Sequence, residues 1–319
     1  VKAIDFRPSA RKVVHHALFF VDSTGTALAR DGKDGQPGYD GGMGGVASGG
    51  GGRALLSGLV PSGGRPGQGA NGARRTAPAV GGLGGWVPGV QPRLLPDDLA
   101  FFVPKGSDLI IATHFHSSGT AEREASTIGL YLSKEPPSKA FTGIQLPPLF
   151  GVMSNIDIPA GDNTYSISDT FTLPTDVRAF GVGGHAHYLA KTMTMTATLP
   201  DGSVKTLLGV DDWDFGWQEQ YLYDQYVDLP KGTRLDVTVT YDNSVANRRN
   251  PSSPPKRVTW GEESTDEMGS MTLRVVAAND DELMVLQKAV ADHVRKKAFD
   301  SGLLQRLLSG GGNRQSSAR

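Results

Sequence analysis

Six of the seven histidines in this chain fall into three tight clusters, His15-His16, His114-Phe115-His116 and His185-Ala186-His187. Neutral imidazole is the commonest metal-binding side chain, and metal sites draw ligands from separate strands, so the distribution points to a transition-metal centre with several ligands. Cysteine is absent, which excludes thiolate zinc sites, iron–sulfur clusters and disulfides together. Any metal must be held by nitrogen, oxygen or thioether sulfur.

The three clusters differ in what their spacing allows. On a strand, side chains two apart share a face, so His185 and His187 can turn toward one ion without distorting the backbone. His15 and His16 are adjacent and face opposite ways on a regular strand. Joint ligation there requires a bulge or a strongly twisted strand end, and the pair reads equally well as one core and one surface histidine. His114 ends the apolar run Leu109-Ile110-Ile111, where it can join that pair. His116 shares the face of His114 and reads as an exposed or supporting residue. His293, among Arg295, Lys296 and Lys297, reads as a surface residue. Methionine can supply a further ligand. Met193 and Met195 belong to an alternating apolar face and read as core, whereas Met268 precedes Met271, Leu273 and Val275 with the opposite parity and should point away from the core they enter. The residues alone leave open whether Met268 ligates or is a half-exposed strand-start methionine.

The elements that must position these residues are short strands. Met193, Met195, Ala197 and Leu199 alternate with Thr192, Thr194, Thr196 and Thr198, and Pro200-Asp201-Gly202 turns the chain into 203–210, which predicts a hairpin. Leu235, Val237, Val239 and Tyr241 predict another half-buried strand, and Met271, Leu273 and Val275 a third. From Asn279 the period becomes helical, with Leu283, Leu286, Val290 and Val294 behind an Asn-Asp-Asp start. Residues 31–75 are dominated by glycine and read as a long flexible surface insertion, 84–96 (GGWVPGVQPRLLP) as an ordered approach to a strand, and 309–319 as a disordered tail. At 319 residues the chain has room for about two domains. A net charge of −1 with both signs dispersed gives no footprint for nucleic acid or an anionic membrane surface, so a small or neutral partner is expected. No apolar run approaches the roughly 20 residues of a membrane span, and no secretory signal pattern is present. The start at Val1 reads as processed or truncated.

Residues 11–22 (RKVVHHALFFVD), 84–96, 113–119 (THFHSSG), 183–191 (GGHAHYLAK) and 264–271 (STDEMGSM) resemble, in that order, the copper type II ascorbate-dependent monooxygenases, the family of peptidylglycine α-hydroxylating monooxygenase and dopamine β-monooxygenase. The resemblance spans about residues 10–277 and is nearest to bacterial-type members. It implies an all-β fold of two jelly-roll-like β-sandwich domains in tandem, here 1–138 and 139–278, followed by a C-terminal helix and tail over 279–319. It implies two copper ions: one bound by His15, His16 and His114 for electron storage, and one bound by His185, His187 and Met268 as the catalytic, O2-activating site, with a solvent-filled gap between them. A soft thioether favours Cu(I), two imidazoles with a weak third ligand leave a position for O2, and zinc has little use for the methionine. Ascorbate or another one-electron donor is the implied reductant, a C–H bond of a small organic molecule the implied substrate, and export to a periplasmic or extracellular setting the implied location.

Three departures qualify the resemblance. The residues that anchor a peptide carboxylate in the peptide-hydroxylating members correspond to Gly183, Thr272 and Ser270, so a peptide C-terminus is not the expected substrate. The disulfides of animal members are missing. Fourteen residues precede the histidine pair, fewer than the family's strands there need, so an incomplete first sandwich is expected. Two rival functions follow: a copper-binding or electron-transfer module without hydroxylase activity, and a carbohydrate-binding sandwich with incidental histidines. The segment 211–220 (DDWDFGWQEQ) reads as an aromatic strand packed in the core, with a cleft lining as the alternative. Oligomeric state is not legible.

Overall fold

The computed structural model describes residues 1–33, 35, 37–39, 80–96, 98–116 and 118–302. Most of the expected glycine-rich insertion and all of the expected disordered tail lie outside the described residues. The chain is all-β, with antiparallel sheets and, among the described residues, a single C-terminal α-helix. No helix among them is long and apolar enough to cross a membrane.

In the N-terminal lobe, β1 (Ala3–Arg7) pairs with β5 (Thr127–Tyr131). β2 (Val14–Asp22) lies between β3 (Val80–Trp86) and β4 (Asp108–Phe115). The sequence reads residues 84–96 as an approach to a strand, yet residues up to Trp86 form an edge strand. Its composition, VGGLGGW, hides it, because glycine carries no alternation. The pairing requires glycine at Gly85, where a Cβ would meet the Ala17 carbonyl oxygen and the Leu18 side chain at 2.9 Å.

The second region stacks two four-stranded sheets. One is ordered β11 (Val204–Val210), β10 (Ala190–Thr198), β13 (Arg234–Tyr241), β8 (Ser166–Thr172); the other β12 (Gln220–Leu229), β9 (Val177–Ala186), β15 (Gly269–Ala277), β6 (Phe141–Leu146). Two short strands, β7 (Asp157–Ile158) and β14 (Val258–Thr259), pair beside them. The expected β10–β11 hairpin forms. Met193, Met195, Ala197, Leu235, Val237, Val239, Tyr241, Met271, Leu273 and Val275 are all buried in the core between the sheets, the faces that alternation assigns.

The β12-β9-β15-β6 sheet is covered on both sides. Its other face carries Phe141, Phe180 and Val276, which pack with Phe6, Phe19, Leu99 and Phe101 of the N-terminal lobe. The two regions therefore share a hydrophobic layer, and whatever polar residues point from this face are enclosed rather than solvated.

The helix α1 (Asp280–Asp300) begins behind Asn279, whose side chain accepts from the Glu282 amide. Leu283, Leu286, Val294 and Ala298 form its buried stripe. His293 corrects the sequence reading: its side chain is 14% exposed, and its Nε2 meets Asp169 Oδ2 at 2.8 Å while Lys297 Nζ meets Oδ1 at 2.6 Å. Asp169 is fully enclosed on β8. The contacts with His293 and Lys297 offset the burial that would otherwise raise its pKa and hold it below the usual aspartate value. Breaking such a buried pair costs about 3–5 kcal/mol, so this contact seats the helix.

Candidate metal centre

His185 and His187 stand at the end of β9 and just beyond it. The register of β9 with β15 pairs His185 with Ser270, Gly183 with Thr272 and Gly181 with Arg274, so these side-chain positions share one face. Met268, two residues before Ser270, continues that face and is 2% exposed, outside the inter-sheet core. His185, His187 and Met268 line one cavity of about 230 Å³, a cleft between this sheet and the N-terminal lobe.

The two imidazoles are held by their Nδ1 atoms. His185 Nδ1 contacts Gln218 Oε1 at 2.7 Å and His187 Nδ1 contacts the Asp266 carbonyl oxygen at 3.2 Å. Both partners are acceptors, so Nδ1 carries the hydrogen and Nε2 keeps its lone pair. Metal-ligating histidines are oriented this way, by donating the other ring hydrogen to a carbonyl or amide oxygen. Phe150 sets its ring edge-on to His185, at 4.9 Å between centroids. It reaches that place from a 3-10 turn (Leu149–Ser154) in which Leu149 and Phe150 both adopt positive φ, 52° and 55°. Such backbone strain in non-glycine residues persists where packing over-determines it.

Sequence reasoning missed Glu267. Its carboxyl is fully enclosed and accepts from the amides of His187 (2.5 Å), Met268 (2.8 Å) and Leu189 (2.9 Å). One side chain thus fastens the backbone of a histidine to that of the methionine. Burial pushes its pKa up to about 8, against the pull of the amides. The Tyr241 hydroxyl donates to the Met268 carbonyl oxygen at 3.0 Å, close enough that a Cβ on Gly269 would lie 2.0 Å from that hydroxyl.

The other set is built by β2 and β4. Val14 pairs with Phe115 and His16 with His114, so two steps along β2 match one along β4 and His15 is the extra residue of a β-bulge. The distortion that adjacent histidines require is present. His15 Nδ1 and His16 Nδ1 face each other at 2.8 Å. Two imidazole nitrogens held at about 2.0–2.1 Å from one ion, at right angles, stand about 2.9 Å apart, so the spacing suits cis ligands. The His114 ring lies over His16, 4.1 Å between centroids. Among the described residues no group of three or more His, Asp or Glu side chains stands ready-made as a metal cage. His16 and His114 line the cavity, His15 does not, and His116 is exposed.

The expected gap between the two sets is not what the structure has: the His16 and His185 rings lie 6.4 Å apart. Phe215 helps join them. It stacks on His15 at 4.2 Å and stands 5.7 Å from His187. The segment 211–220 is therefore neither a core strand nor a simple cleft lining. Trp213 is buried and donates its indole N–H to the His187 carbonyl oxygen, Phe215 bridges the histidines, and Trp217 is 56% exposed.

Burial is the main cause lowering the histidine pKa values, with neighbouring histidines adding to it, to about 4 for His15, 2 for His16, 3 for His185 and 4 for His187; burial also lowers that of His114, against the pull of Glu262 and Glu263. All five imidazoles are neutral near pH 7, the form that ligates. Neutral nitrogens and one thioether suit copper and exclude hard, oxygen-seeking cations such as calcium or magnesium.

No family model matches the chain, and no curated protein does. Among solved structures, the infectious bursal disease virus VP2 subviral particle is 11% identical, with 89% of this chain and 57% of that chain covered at a TM-score of 0.26. The structure of the Gt strain of that virus is also 11% identical, with 88% and 59% covered at a TM-score of 0.24. The chain spans less than three fifths of those viral chains, and at such TM-scores the likeness carries no argument.

Proposed function

We propose that this chain is a copper-dependent monooxygenase of the ascorbate-dependent type II family, which uses O2 and a one-electron donor such as ascorbate to hydroxylate a C–H bond of a small organic substrate. The observation that carries the reading is that His185, His187 and Met268 line one cavity, with both Nδ1 hydrogens engaged elsewhere, and that His16 and His114 line it too. His185, His187 and Met268 would hold one copper, and His15, His16 and His114 the other. Bound copper supplies one-electron redox chemistry and O2 activation, which no side chain here provides.

The chain's own residues supply position and enclosure. Gln218 and the Asp266 carbonyl hold the ring hydrogens of His185 and His187, and Glu267 fixes the spacing between His187 and Met268. Phe150 packs edge-on to His185, and the N-terminal lobe covers part of the face that carries it. Two neutral imidazoles and a thioether form a soft ligand set that would favour Cu(I).

Metal content by mass spectrometry on freshly purified protein tests the reading. Two copper equivalents are expected, with one lost in Met268→Ala and one in His185→Ala. Retention of no copper after dialysis sinks the proposal. Copper without ascorbate-driven O2 uptake across amine, phenethyl and amide substrates identifies the chain as a copper-binding module instead.

A further inference from the structure

Arg274 lies on the face of the β12-β9-β15-β6 sheet that meets the N-terminal lobe and lines the same cavity; Arg178, on that face too, stacks on the Tyr226 ring instead. It is 9% exposed. Its Nη2 donates to Gln220 Oε1 at 3.1 Å, and among the described residues its buried Nε has no hydrogen-bond partner and no carboxylate forms an ion pair with it. Its only other neighbour of note is the Phe180 ring, with Cζ 6.0 Å from the centroid. Burial lowers its pKa to about 10, so the group is still a cation near pH 7, and no nearby acidic group opposes the shift.

An enclosed, unpaired charge is costly, and folded proteins normally supply a partner for it. A second unanswered group lies beside it. Gln145, opposite Thr272 in the register of β6 with β15, is buried and lines the cavity as well; its unpartnered Oε1 is an acceptor and answers a donor of a bound molecule, not its carboxylate. Gln220 sits opposite Gly183, in space that a side chain at 183 would fill: a Cβ there would lie 2.3 Å from the Gln220 amide nitrogen. The glycine thus lets Gln220 lie across the sheet and hold Arg274 from one side, leaving the other donors of the fork directed elsewhere.

We propose that Arg274, positioned by Gln220, binds a carboxylate group of the substrate. Of the other cations lining the cavity, Arg93 is paired with Glu219 and Lys2 donates to the Pro96 carbonyl oxygen, so the Arg274 fork is the one matched to an added carboxylate through two parallel hydrogen bonds. Four residues separate Gly181, the partner of Arg274, from His185 along β9, which is about 13 Å of strand. The molecule is therefore elongated, with its carboxylate at one end and its reacting carbon on the order of 10 Å away at the histidine–methionine end. The inference rests on the reading above only for the claim that the bound molecule is a substrate; the anion site stands on Arg274 itself.

Calorimetric titration of the full chain, stripped of metal, with straight-chain carboxylates from butanoate to decanoate and with their primary amides tests the site. The carboxylates are expected to bind at least about tenfold more tightly than the matched amides, since a charge-assisted pair contributes roughly 1.5–3 kcal/mol. Arg274→Met is expected to abolish the preference, and Arg274→Lys to reduce it, because an ammonium lacks the planar fork. Circular dichroism monitors folding, and where Arg274→Met does not fold, the comparison of wild type with Arg274→Lys decides. Equal affinity for acid and amide, or an undiminished preference in the folded variants, overturns the proposal. Copper content measured on each purification before the metal is stripped separates the two readings: a chain that retains copper yet ignores carboxylates refutes only the anion site, and one that prefers carboxylates yet retains no copper refutes only the copper reading.

Discussion

His185, His187 and Met268 sit on supports quite unlike those of His15, His16 and His114. The first three lie at the end of a four-stranded sheet backed by the main core, with each imidazole hydrogen-bonded through Nδ1 and a buried carboxyl tying His187 to Met268. The second three lie on a three-stranded sheet, and their orientation depends on a bulge, on a direct nitrogen–nitrogen contact and on Phe215 from the other region. A metal site held by its own sheet is organised before the metal arrives. One held partly by a neighbouring region is organised only when the two regions are packed together.

Glu267→Ala is the strongest way to break the comparison. It leaves three enclosed amides without an acceptor, so stability to denaturant should fall by roughly 3–9 kcal/mol at about 1–3 kcal/mol for each, and copper should be lost from the methionine-bearing set first. A loss below about 1 kcal/mol would show that the carboxyl is not the clamp. Glu267→Gln keeps an acceptor oxygen and should cost less.

Phe215→Ala tests the dependence across regions. Truncating a buried aromatic costs about 3–5 kcal/mol, and copper titration should show the His15/His16/His114 set weakened more than its neighbour. Equal weakening of both would mean that the ring serves the fold rather than the first set.

Gln218→Leu should act on the opposite set alone. Removing the partner of a ligating histidine lowers metal affinity by roughly 10–100-fold, measurable by competition with a chelator, and His15, His16 and His114 should keep theirs. His116→Ala is the smallest expected effect, within about ±0.5 kcal/mol in stability and without loss of copper, because the residue is exposed and outside the cavity.

Legibility in the sequence followed the reach of local periodicity. The shared face of His185 and His187, the opposite parity of Met268 and the three apolar strand faces all come from the two-residue repeat of a strand, which needs no knowledge of neighbours. The bulge at His15 was legible only as a requirement, since bulges are set by pairing with a second strand. Strand β3 was hidden because glycine has no side chain to alternate. Glu267, Asp169 and His293 were not legible at all, because charged and polar residues default to the surface unless a partner distant in sequence encloses them.

Arg274 illustrates the same boundary on a larger scale. Alternating with Met271, Leu273 and Val275, positions 270, 272 and 274 read as the solvated face of a half-buried strand, and the sequence by itself determined only which face they occupy. That the face is roofed by the N-terminal lobe, so that its polar residues line a cavity with five histidines gathered at and beside one end, was decided by tertiary packing. Periodicity is a property of one strand, whereas enclosure depends on which surfaces of separate strands bury apolar area together, and phenylalanines at 6, 19, 101, 141 and 180 made that choice across more than a hundred residues of chain.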